Sequence, residues 1–342
     1  MGNWGKRVGA LATVAIALTA LGVPAAEAGT HRPAWQPTLL PLPAGADPAG
    51  RGYLTSTNGH GEYTGSFVVD GKLQVVSWRG GKPVLRGVPA GYESAMAADE
   101  NRVGTVVGTA TDNDTGEIRP FVLDARGFRF RVTPAGYQSA RGVDINSRGD
   151  VLGQVTHADP AKNGSIVWPA NGSAPVIIPK SHEIEFPMDI DDDGTILFIG
   201  SESVLLWKNG RYLQRTAPGF RYAEGSALRD GVVVGSVSDG TIAGTRAGRW
   251  DAAGRFTLLP GGIGAYALNR FGLIAGATPA PDAIQGPPMA WWGTTAVGAL
   301  KQPGAYKQYQ ASQVSDDGTI LGVASDRPVY EGGVPVMWRF RG

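Results

Sequence analysis

The chain has 342 residues, of which 31 are Lys or Arg and 30 are Asp or Glu, so its formal net charge is +1. Nucleic acids and anionic membranes bind strongly basic faces, and this balance argues against both as partners. The chain has no cysteine, so no disulfide can support the fold and packing alone must hold it together.

The first 28 residues have the parts of a secretory signal peptide. Two positive charges precede an apolar stretch that ends at Val23, and Ala26-Glu27-Ala28 forms an A-x-A cleavage site. A membrane anchor is the alternative, but the stretch is short for a span, which needs about 20 apolar residues. We therefore expect residues 29–342 to be secreted, with 29 basic and 29 acidic side chains.

The stretch 136–179 shows most clearly a pattern that recurs along the chain. Apolar residues alternate with polar ones and are interrupted by turn residues, which is typical of a four-stranded antiparallel meander. Its predicted strands are Ser139–Asn146, Asp150–His157, a third ending near Trp168, and Ala174–Ile178.

Two landmarks recur seven times at intervals of about 42 residues. The first is a turn glycine after Asn- and Asp-rich residues, found at Gly61, Gly104, Gly149, Gly194, Gly231, Gly272 and Gly318. The second is a large apolar residue that ends the third strand, found at Trp78, Leu123, Trp168, Trp207, Trp250, Trp291 and Trp338. A further glycine follows the first by four residues in all copies but the fourth, which has Phe198. A mid-strand glycine marks either a β-bulge or the close approach of another backbone.

The two ends of the chain indicate a closed ring. The seventh copy stops just after Trp338 and lacks a fourth strand, whereas residues 36–42 form a predicted strand that belongs to no copy. Pairing the two would remove the open edges of the sheets. The sequence therefore predicts an all-β fold: a single seven-bladed β-propeller domain over residues 29–342, with four-stranded antiparallel blades, the last closed by the N-terminal strand. We expect a monomer.

The landmarks resemble the extracellular repeat of the HAF family, with the pattern I-N-x-x-G-x-x-V-G, then A-F-x-W. The matches here are Ile145-Asn146 with Gly149, Leu152-Gly153 and Trp168; Leu268-Asn269 with Gly272, Ala275-Gly276 and Trp291; and Val314-Ser315 with Gly318, Leu321-Gly322 and Trp338. The fourth copy departs most. The resemblance implies a secreted, propeller-like bacterial repeat protein and carries no established chemistry.

A set of aromatic residues lies twelve positions before the turn glycines, where each blade's first strand is entered. Its members are Tyr92, Tyr137, Phe220 and Tyr306, with His182 at the same place in the fourth copy. They are predicted either to pack as spacers between blades or to stack on sugar rings or peptide side chains at the funnel.

Four residues after the aromatic set, the seven copies of the repeat carry different residue types. The residues there are Tyr53, Met96, Arg141, Phe186, Glu224, Gly264 and Gln310. A binding site in a repeat protein is built from what differs between copies, so Tyr53, Arg141, Glu224 and Gln310 are predicted to line the central funnel. The alternative is that they are scattered solvated side chains.

One turn contains the opening of a calcium loop. Asp189, Asp191 and Asp193 precede Gly194 in a D-x-D-x-D-G pattern, in which alternating carboxylates can converge on one cation. In other copies the same positions form a plain turn. The acidic residues that calcium-binding loops carry at later positions are also missing here. Calcium is therefore a weak candidate beside an ordinary Asx turn, and no other cofactor or metal site is predicted.

The sequence contains no catalytic motif such as G-x-S-x-G or H-E-x-x-H, no phosphate loop and no dinucleotide fingerprint. It therefore predicts a secreted, non-catalytic binding or scaffold protein for an extracellular glycan or protein. The alternatives are a propeller enzyme, namely a lyase, hydrolase or cyclase with its active site in the central funnel, and a calcium-stabilised module.

Overall fold

The structure is a computed structural model that describes residues 34–47, 51–180, 186–200, 202–280, 286–328 and 331–341. The predicted signal peptide lies outside these residues. In the part of the chain that is described, no helix has the length and apolar character needed to cross a membrane. The described residues form 28 strands and one short 3-10 helix, Pro160–Lys162.

The strands form seven antiparallel sheets of four, which are the blades of the predicted propeller. Blade 1 contains β2 (Gly52–Thr57), β3 (Tyr63–Val69), β4 (Lys72–Arg79) and β5 (Lys82–Gly87). Blade 2 contains β6 (Ser94–Glu100), β7 (Val106–Thr111), β8 (Ile118–Asp124) and β9 (Gly127–Phe130). Blade 3 contains β10 (Ser139–Ile145), β11 (Val151–Thr156), β12 (Gly164–Trp168) and β13 (Val176–Pro179).

The remaining blades follow the same order from the axis outwards. Blade 4 contains β14 (Phe186–Ile190), β15 (Ile196–Ile199), β16 (Val204–Lys208) and β17 (Arg211–Arg215). Blade 5 contains β18 (Tyr222–Arg229), β19 (Val232–Ser238), β20 (Arg246–Trp250) and β21 (Phe256–Leu258). Blade 6 contains β22 (Gly264–Leu268), β23 (Leu273–Ala277), β24 (Pro288–Trp292) and β25 (Thr295–Ala299). Blade 7 contains β26 (Gln308–Val314), β27 (Ile320–Ser325), β28 (Val334–Arg341) and β1 (Ala34–Leu39).

Blade 7 is completed by the first strand of the chain, so the predicted closure of the ring is confirmed. The strand β1 pairs with β28 from Ala34 to Leu39, and the Leu40 N–H donates to the Pro335 carbonyl at 2.9 Å. The observed strand begins at Ala34, two residues before the predicted strand of residues 36–42, and it ends earlier, at Leu39. It stops because Pro41 has no N–H with which to continue the ladder.

The innermost strands contact their neighbours all the way round, including β26 with β2, and they enclose a central channel. Each carries a β-bulge, which in blade 3 lies between Gly142 and Asp144. A bulge twists a strand and re-aims its side chains. We call the end of the channel at which these strands begin the mouth face, and the end at which they turn into the second strands the turn face.

The mid-strand glycines are explained by close backbone approach, as predicted. A Cβ on Gly153 would collide with the Arg141 carbonyl oxygen and with the Trp168 ring, and Gly235 meets the Glu224 carbonyl in the same way. The turn glycines have positive φ angles, for example 89° at Gly149, which other residues adopt only at a cost.

The tryptophans that end the third strands join each blade to the one before it. Five of the described tryptophans donate their indole N–H to a backbone carbonyl just beyond the outer strand of the preceding blade, at 2.8–3.0 Å. They are Trp78, Trp168, Trp250, Trp291 and Trp338. Each ring is also almost completely buried, so each joins two blades by packing and by a hydrogen bond.

The asparagines of the repeated turns have two functions. The Asn146 Oδ1 accepts the N–H groups of Arg148 and Asp150, at 3.1 and 3.0 Å, which closes an Asx turn. Its amide also donates to the Asp191 carbonyl of the next blade at 3.2 Å. Asn101 and Asn269 do the same in blades 2 and 6. These side chains therefore shape a turn and fasten it to its neighbour, and we call them turn staples.

Candidate functional site

The seven residues at which the copies disagree occupy one register position in the seven innermost strands. We call them the mouth ring: Tyr53, Met96, Arg141, Phe186, Glu224, Gly264 and Gln310. Residues on either side of the ring, such as Ala95 and Ala97, are buried in the clusters between blades. Five members are nevertheless exposed, and Gln310 is partly so. An innermost strand meets solvent at the channel, so we place these side chains there.

The order of the ring puts opposite charges on either side of an aromatic residue. Arg141 in blade 3 and Glu224 in blade 5 flank Phe186 in blade 4. Neither Arg141 nor Glu224 forms an ion pair with another described residue. Both charges are therefore available to a ligand that enters from the mouth face.

Within the mouth ring, Glu224 has a carboxyl whose pKa is shifted by its surroundings. The side chain as a whole is exposed, and partial burial of its carboxyl raises its pKa above the ordinary value. Desolvation disfavours the charged form of a carboxyl and makes the carboxylate a stronger base. Glu224 is thus suited to accept a proton from a bound molecule.

Tyr266 belongs to the same site, although its sequence position gave no indication of this. It lies in the bulge of β22, two residues after Gly264. A Cβ added to Gly264 would lie 2.7 Å from Tyr266 Cε1, so the phenol ring occupies the space that a larger residue would fill. Burial raises the pKa of the phenol above 10, which keeps it protonated. Gly264 therefore contributes no side chain to the ring, and Tyr266 takes its place.

The predicted aromatic set lies beside the site and packs against the blades. Tyr92 packs on Phe130 with ring centroids 4.9 Å apart, and Tyr137 packs on His157 at 5.6 Å. The remaining two members make the same kind of contact, Phe220 with Phe256 at 5.9 Å and Tyr306 with Tyr309 at 6.5 Å. All four are half-buried. Their role in ligand binding stays a prediction, and His182 lies outside the described residues.

Sequence reasoning missed a group of three carboxyls further along the channel, towards the turn face. Asp99, Asp144 and Asp189 come from blades 2, 3 and 4, and their carboxyls are hydrogen-bonded in that order. We call them the acid chain. Asp144 accepts the Ile190 N–H at 2.6 Å, and Asp189 accepts the Leu228 N–H at 2.7 Å. Each of these two carboxyls therefore also binds the backbone of the next blade.

Arg229 of blade 5 is the cation that faces the acid chain. Its attraction to Asp189, Asp144, Asp99 and Asp191 raises its pKa. A hydrogen bond between two carboxyls needs a shared proton, in agreement with the raised pKa values of all three aspartates. A small cavity of about 70 Å³, lined by residues of six blades including Asp99 and Arg229, lies at the turn face. The acid chain therefore joins blades rather than opening to a large ligand.

The acid chain predicts that the ring is less stable at high pH. Burial raises the pKa of Asp99 to about 6, and burial together with the neighbouring carboxyls holds the pKa values of Asp144 and Asp189 well above the ordinary range. An aspartate in the unfolded chain titrates near pH 4, so the folded state binds more protons above that pH and stability falls as the pH rises through about 6. We expect the melting temperature to fall as the pH rises from about 4 through about 6.

The variant Asp144→Asn tests this explanation, because an amide keeps the hydrogen bonds but does not titrate. Its melting temperature should change less with pH than that of the wild type. Glu100, whose pKa burial raises to about 6, titrates in both proteins and cancels in the comparison. Equal pH slopes for the two proteins would show that the acid chain does not cause the effect.

The three carboxylates of the calcium candidate each have a different partner. Asp189 belongs to the acid chain, and Asp191 accepts the N–H groups of Asp230 and Gly231 of the next blade at 3.1 and 2.7 Å. Asp193 binds the Thr195 N–H and pairs with Lys208. Among the residues that the structure describes, no group of three acidic or histidine side chains is placed to hold a metal ion. Calcium binding here stays an untested prediction.

Fold and site together define a seven-bladed β-propeller with a candidate active site at one end of its channel. No family model matches the sequence, and no match to a curated protein was found. The resemblance to the HAF repeat therefore stays a prediction.

Solved structures similar to this one include two lyases and a hydrolase. A catalytically inactive histidine-to-alanine variant of virginiamycin B lyase from Staphylococcus aureus, solved with quinupristin, has a TM-score of 0.57 and 12% identity over 89% of this chain and 98% of the lyase. An oligogalacturonate lyase in complex with manganese has a TM-score of 0.55 and 12% identity over 90% and 96%. A serine-to-alanine variant of puromycin hydrolase has a TM-score of 0.53 and 19% identity, over 85% of this chain but 52% of its own.

These similarities correct the functional prediction. The sequence predicts a non-catalytic binding or scaffold protein, whereas the three similar structures named above are enzymes, so that prediction is wrong and the enzymatic alternative is favoured. At these identities, the similarity itself establishes the fold. The missing catalytic motif misled the prediction, because a propeller collects single residues from separate blades and leaves no local pattern.

Proposed function

We propose that the protein is a secreted lyase that cleaves an acidic glycan by β-elimination at the mouth ring. The observation that carries the proposal is that the mouth ring breaks the repeat with an available Arg141, a desolvated Glu224 and, beside it, a desolvated Tyr266. The fold comparison adds support, since this chain covers nearly the whole length of the two lyases but about half of the hydrolase.

Each ring residue has a function in this reaction. Tyr53 and Phe186 present exposed aromatic surface on which a sugar ring can stack. The guanidinium of Arg141 pairs with the carboxylate of a uronate and stabilises the negative charge that develops when the neighbouring C–H bond breaks. Glu224 is the general base that removes that proton.

The electrons of the broken C–H bond form a carbon–carbon double bond and expel the β-oxygen of the glycosidic bond. Tyr266 donates its proton to that leaving oxygen, whose conjugate acid is weaker than a phenol. The proton held by Glu224 then returns to the phenolate through solvent. The reaction consumes no water and needs no oxidant.

The variant Glu224→Gln tests the function. Loss of a general base slows proton removal by about 10²–10⁴-fold, so we expect kcat to fall by that factor on polygalacturonate or alginate while KM changes little. The measurement is the ultraviolet absorbance of the unsaturated product, with neutral dextran as the substrate control.

A matched variant is Glu62→Gln, which alters a glutamate in a turn at the opposite face and should leave kcat unchanged. Arg141→Ala should both raise KM and lower kcat, because it removes the cation that binds the carboxylate and stabilises the charge that develops on it. A wild-type protein that cleaves no uronate polymer, or a Glu224→Gln protein with normal kcat, would contradict the proposal.

A further inference from the structure

A second concave surface lies on the mouth face, at the junction of blades 2 and 3. It is a cavity of about 400 Å³. One side of it is the start of β8 at Ile118 and Arg119, and the other is the segment 132–138 that leads into β10. The third strand of an antiparallel meander runs in the same direction as the first, so both sides lie at the mouth end of their blades. We call this cavity the junction pocket.

A tight turn shapes the junction pocket. The Tyr137 N–H donates to the Pro134 carbonyl at 3.1 Å, and Gly136 has a φ angle of 90°. These are the features of a type II β-turn, and Ala135 is exposed at its tip. The turn presents Tyr137, which is half-buried against His157 and also lines the pocket. An aromatic side chain held in this way beside a cavity is suited to stacking on a sugar ring.

The polar side chains of the junction pocket are not used by the protein itself. Thr133, Tyr137 and Gln138 make no side-chain hydrogen bond with another residue that the structure describes. Hydroxyl and amide groups both donate and accept hydrogen bonds, as the hydroxyls of a sugar do. Ligand pockets of roughly 300–1,000 Å³ typically combine aromatic or apolar surface with a few polar groups of this kind. The junction pocket has this size and this combination.

Arg119 gives the junction pocket a preference for an acidic ligand. Its guanidinium lies over the Phe130 ring, 4.4 Å from the centroid, which fixes its position. The carboxylate paired with it, Glu117, lies 3.8 Å from Arg119 Nε, which is too far for a hydrogen bond. The side chains of Arg119 and Glu117 are 39% and 54% exposed, so this pair is solvated and weak. A ligand carboxylate can therefore replace Glu117 and accept two N–H groups at once.

The junction pocket and the mouth ring are connected by β10. Tyr137 precedes Arg141 by four residues, which is about 13 Å along an extended strand. The chain is extended here, because the Gln138 N–H donates to the Thr156 carbonyl at 2.8 Å and continues the ladder between β10 and β11. A glycan whose reacting uronate is bound at Arg141 can therefore reach the pocket with its neighbouring sugar units.

We propose that the junction pocket binds a further uronate unit of the same glycan, with Tyr137 stacked on the sugar ring and Arg119 paired with the carboxylate. This inference rests on the proposed function and defines its substrate more closely. The substrate is a chain of several acidic sugars that lies across the mouth face and is held away from the bond that breaks, rather than a disaccharide.

The test compares the affinities of a short and a long oligomer for the Glu224→Gln protein, which should bind both without cleaving them. The probes are the dimer and the hexamer of galacturonate, or of mannuronate if alginate is the polymer that is cleaved. We expect the hexamer to bind at least about tenfold more tightly in calorimetric titrations, because only the hexamer reaches the junction pocket. Adding Arg119→Ala should weaken hexamer binding about three- to tenfold and leave dimer binding unchanged. Arg126→Ala, which changes an exposed arginine in the turn between β8 and β9, should alter neither affinity.

Ala135→Phe fills the junction pocket from the tip of the turn and removes no contact, so it should abolish the advantage of the hexamer. Its matched control is Ala90→Phe, because Pro89-Ala90-Gly91-Tyr92 forms the same turn between blades 1 and 2. There the Tyr92 N–H donates to the Pro89 carbonyl at 3.2 Å, Gly91 has a φ angle of 83°, and Ala90 is exposed. Ala90→Phe should keep the advantage of the hexamer, and unchanged melting temperatures should show that both variants are folded.

A hexamer that binds no more tightly than the dimer, or that keeps its advantage in both Arg119→Ala and Ala135→Phe, overturns the assignment. Equal losses in Ala135→Phe and Ala90→Phe do so as well. If the wild type cleaves a uronate polymer but gives one of these results, the proposed function stands and the junction pocket alone is refuted. If the wild type cleaves no uronate polymer, the proposed function fails, and the same titrations still decide whether the pocket binds the hexamer.

Discussion

A chain that begins at Pro41 should not form a stable ring, whereas one that begins at Ala34 should. The shorter chain lacks β1 and therefore loses six backbone pairs with β28 and the buried side chains of Trp35 and Leu40. It also exposes the edge of β28, and an unpaired edge strand is a template for aggregation. We expect its melting temperature to fall by at least about 15 °C, or the soluble monomer to disappear, as seen by calorimetry and size-exclusion chromatography.

A synthetic peptide of residues 34–43 supplies a second measurement on the shorter chain. If the loss is due to the missing strand, the peptide should add to the open edge and recover part of the melting temperature. A shorter chain that remains monomeric and melts as sharply as the longer one would show that β1 does not close the ring.

The largest single-residue effect on stability should come from Trp168→Ala. The ring of Trp168 is 4% exposed, packs against the backbone at Gly153, and donates its N–H to the Val132 carbonyl of blade 2 at 3.0 Å. Removing a buried tryptophan costs about 3–5 kcal/mol, and here the Val132 carbonyl loses its donor as well. We expect the melting temperature to fall by roughly 5–15 °C.

The comparison for this variant is Trp292→Ala, the same change at an exposed position. A surface replacement changes stability by about 0.5 kcal/mol or less, so its melting temperature should stay close to that of the wild type. Equal losses in the two variants would contradict the view that the tryptophans that end the third strands hold the blades together.

The fold could be predicted from the sequence because it depends on local features that repeat. A turn glycine such as Gly149 and a strand-ending residue such as Trp168 recur at nearly constant spacing, which gives the number of blades. The missing fourth strand of the last copy indicates the closure. Each of these features can be recognised in the sequence without knowing which distant residues are in contact in the fold.

The candidate site was only partly predictable. Arg141 and Glu224 could be found because they break the repeat at one position. Tyr266 was missed because the bulge in β22 moves it out of that position and onto Gly264. The acid chain was missed although Asp99, Asp144 and Asp189 are spaced 45 residues apart. That spacing is a usable pattern, but only the closed ring shows that the three carboxyls meet.

The pairing of β1 with β28 also sets the order in which the molecule can be completed. The strand β1 is synthesised before the other strands of the ring, and its partner β28 is synthesised after all of them. The seventh blade can therefore be completed only once β28 has been made, whereas the strands of the other six blades are made earlier. Until β1 pairs with β28, the edge of β28 stays open to pairing with another chain.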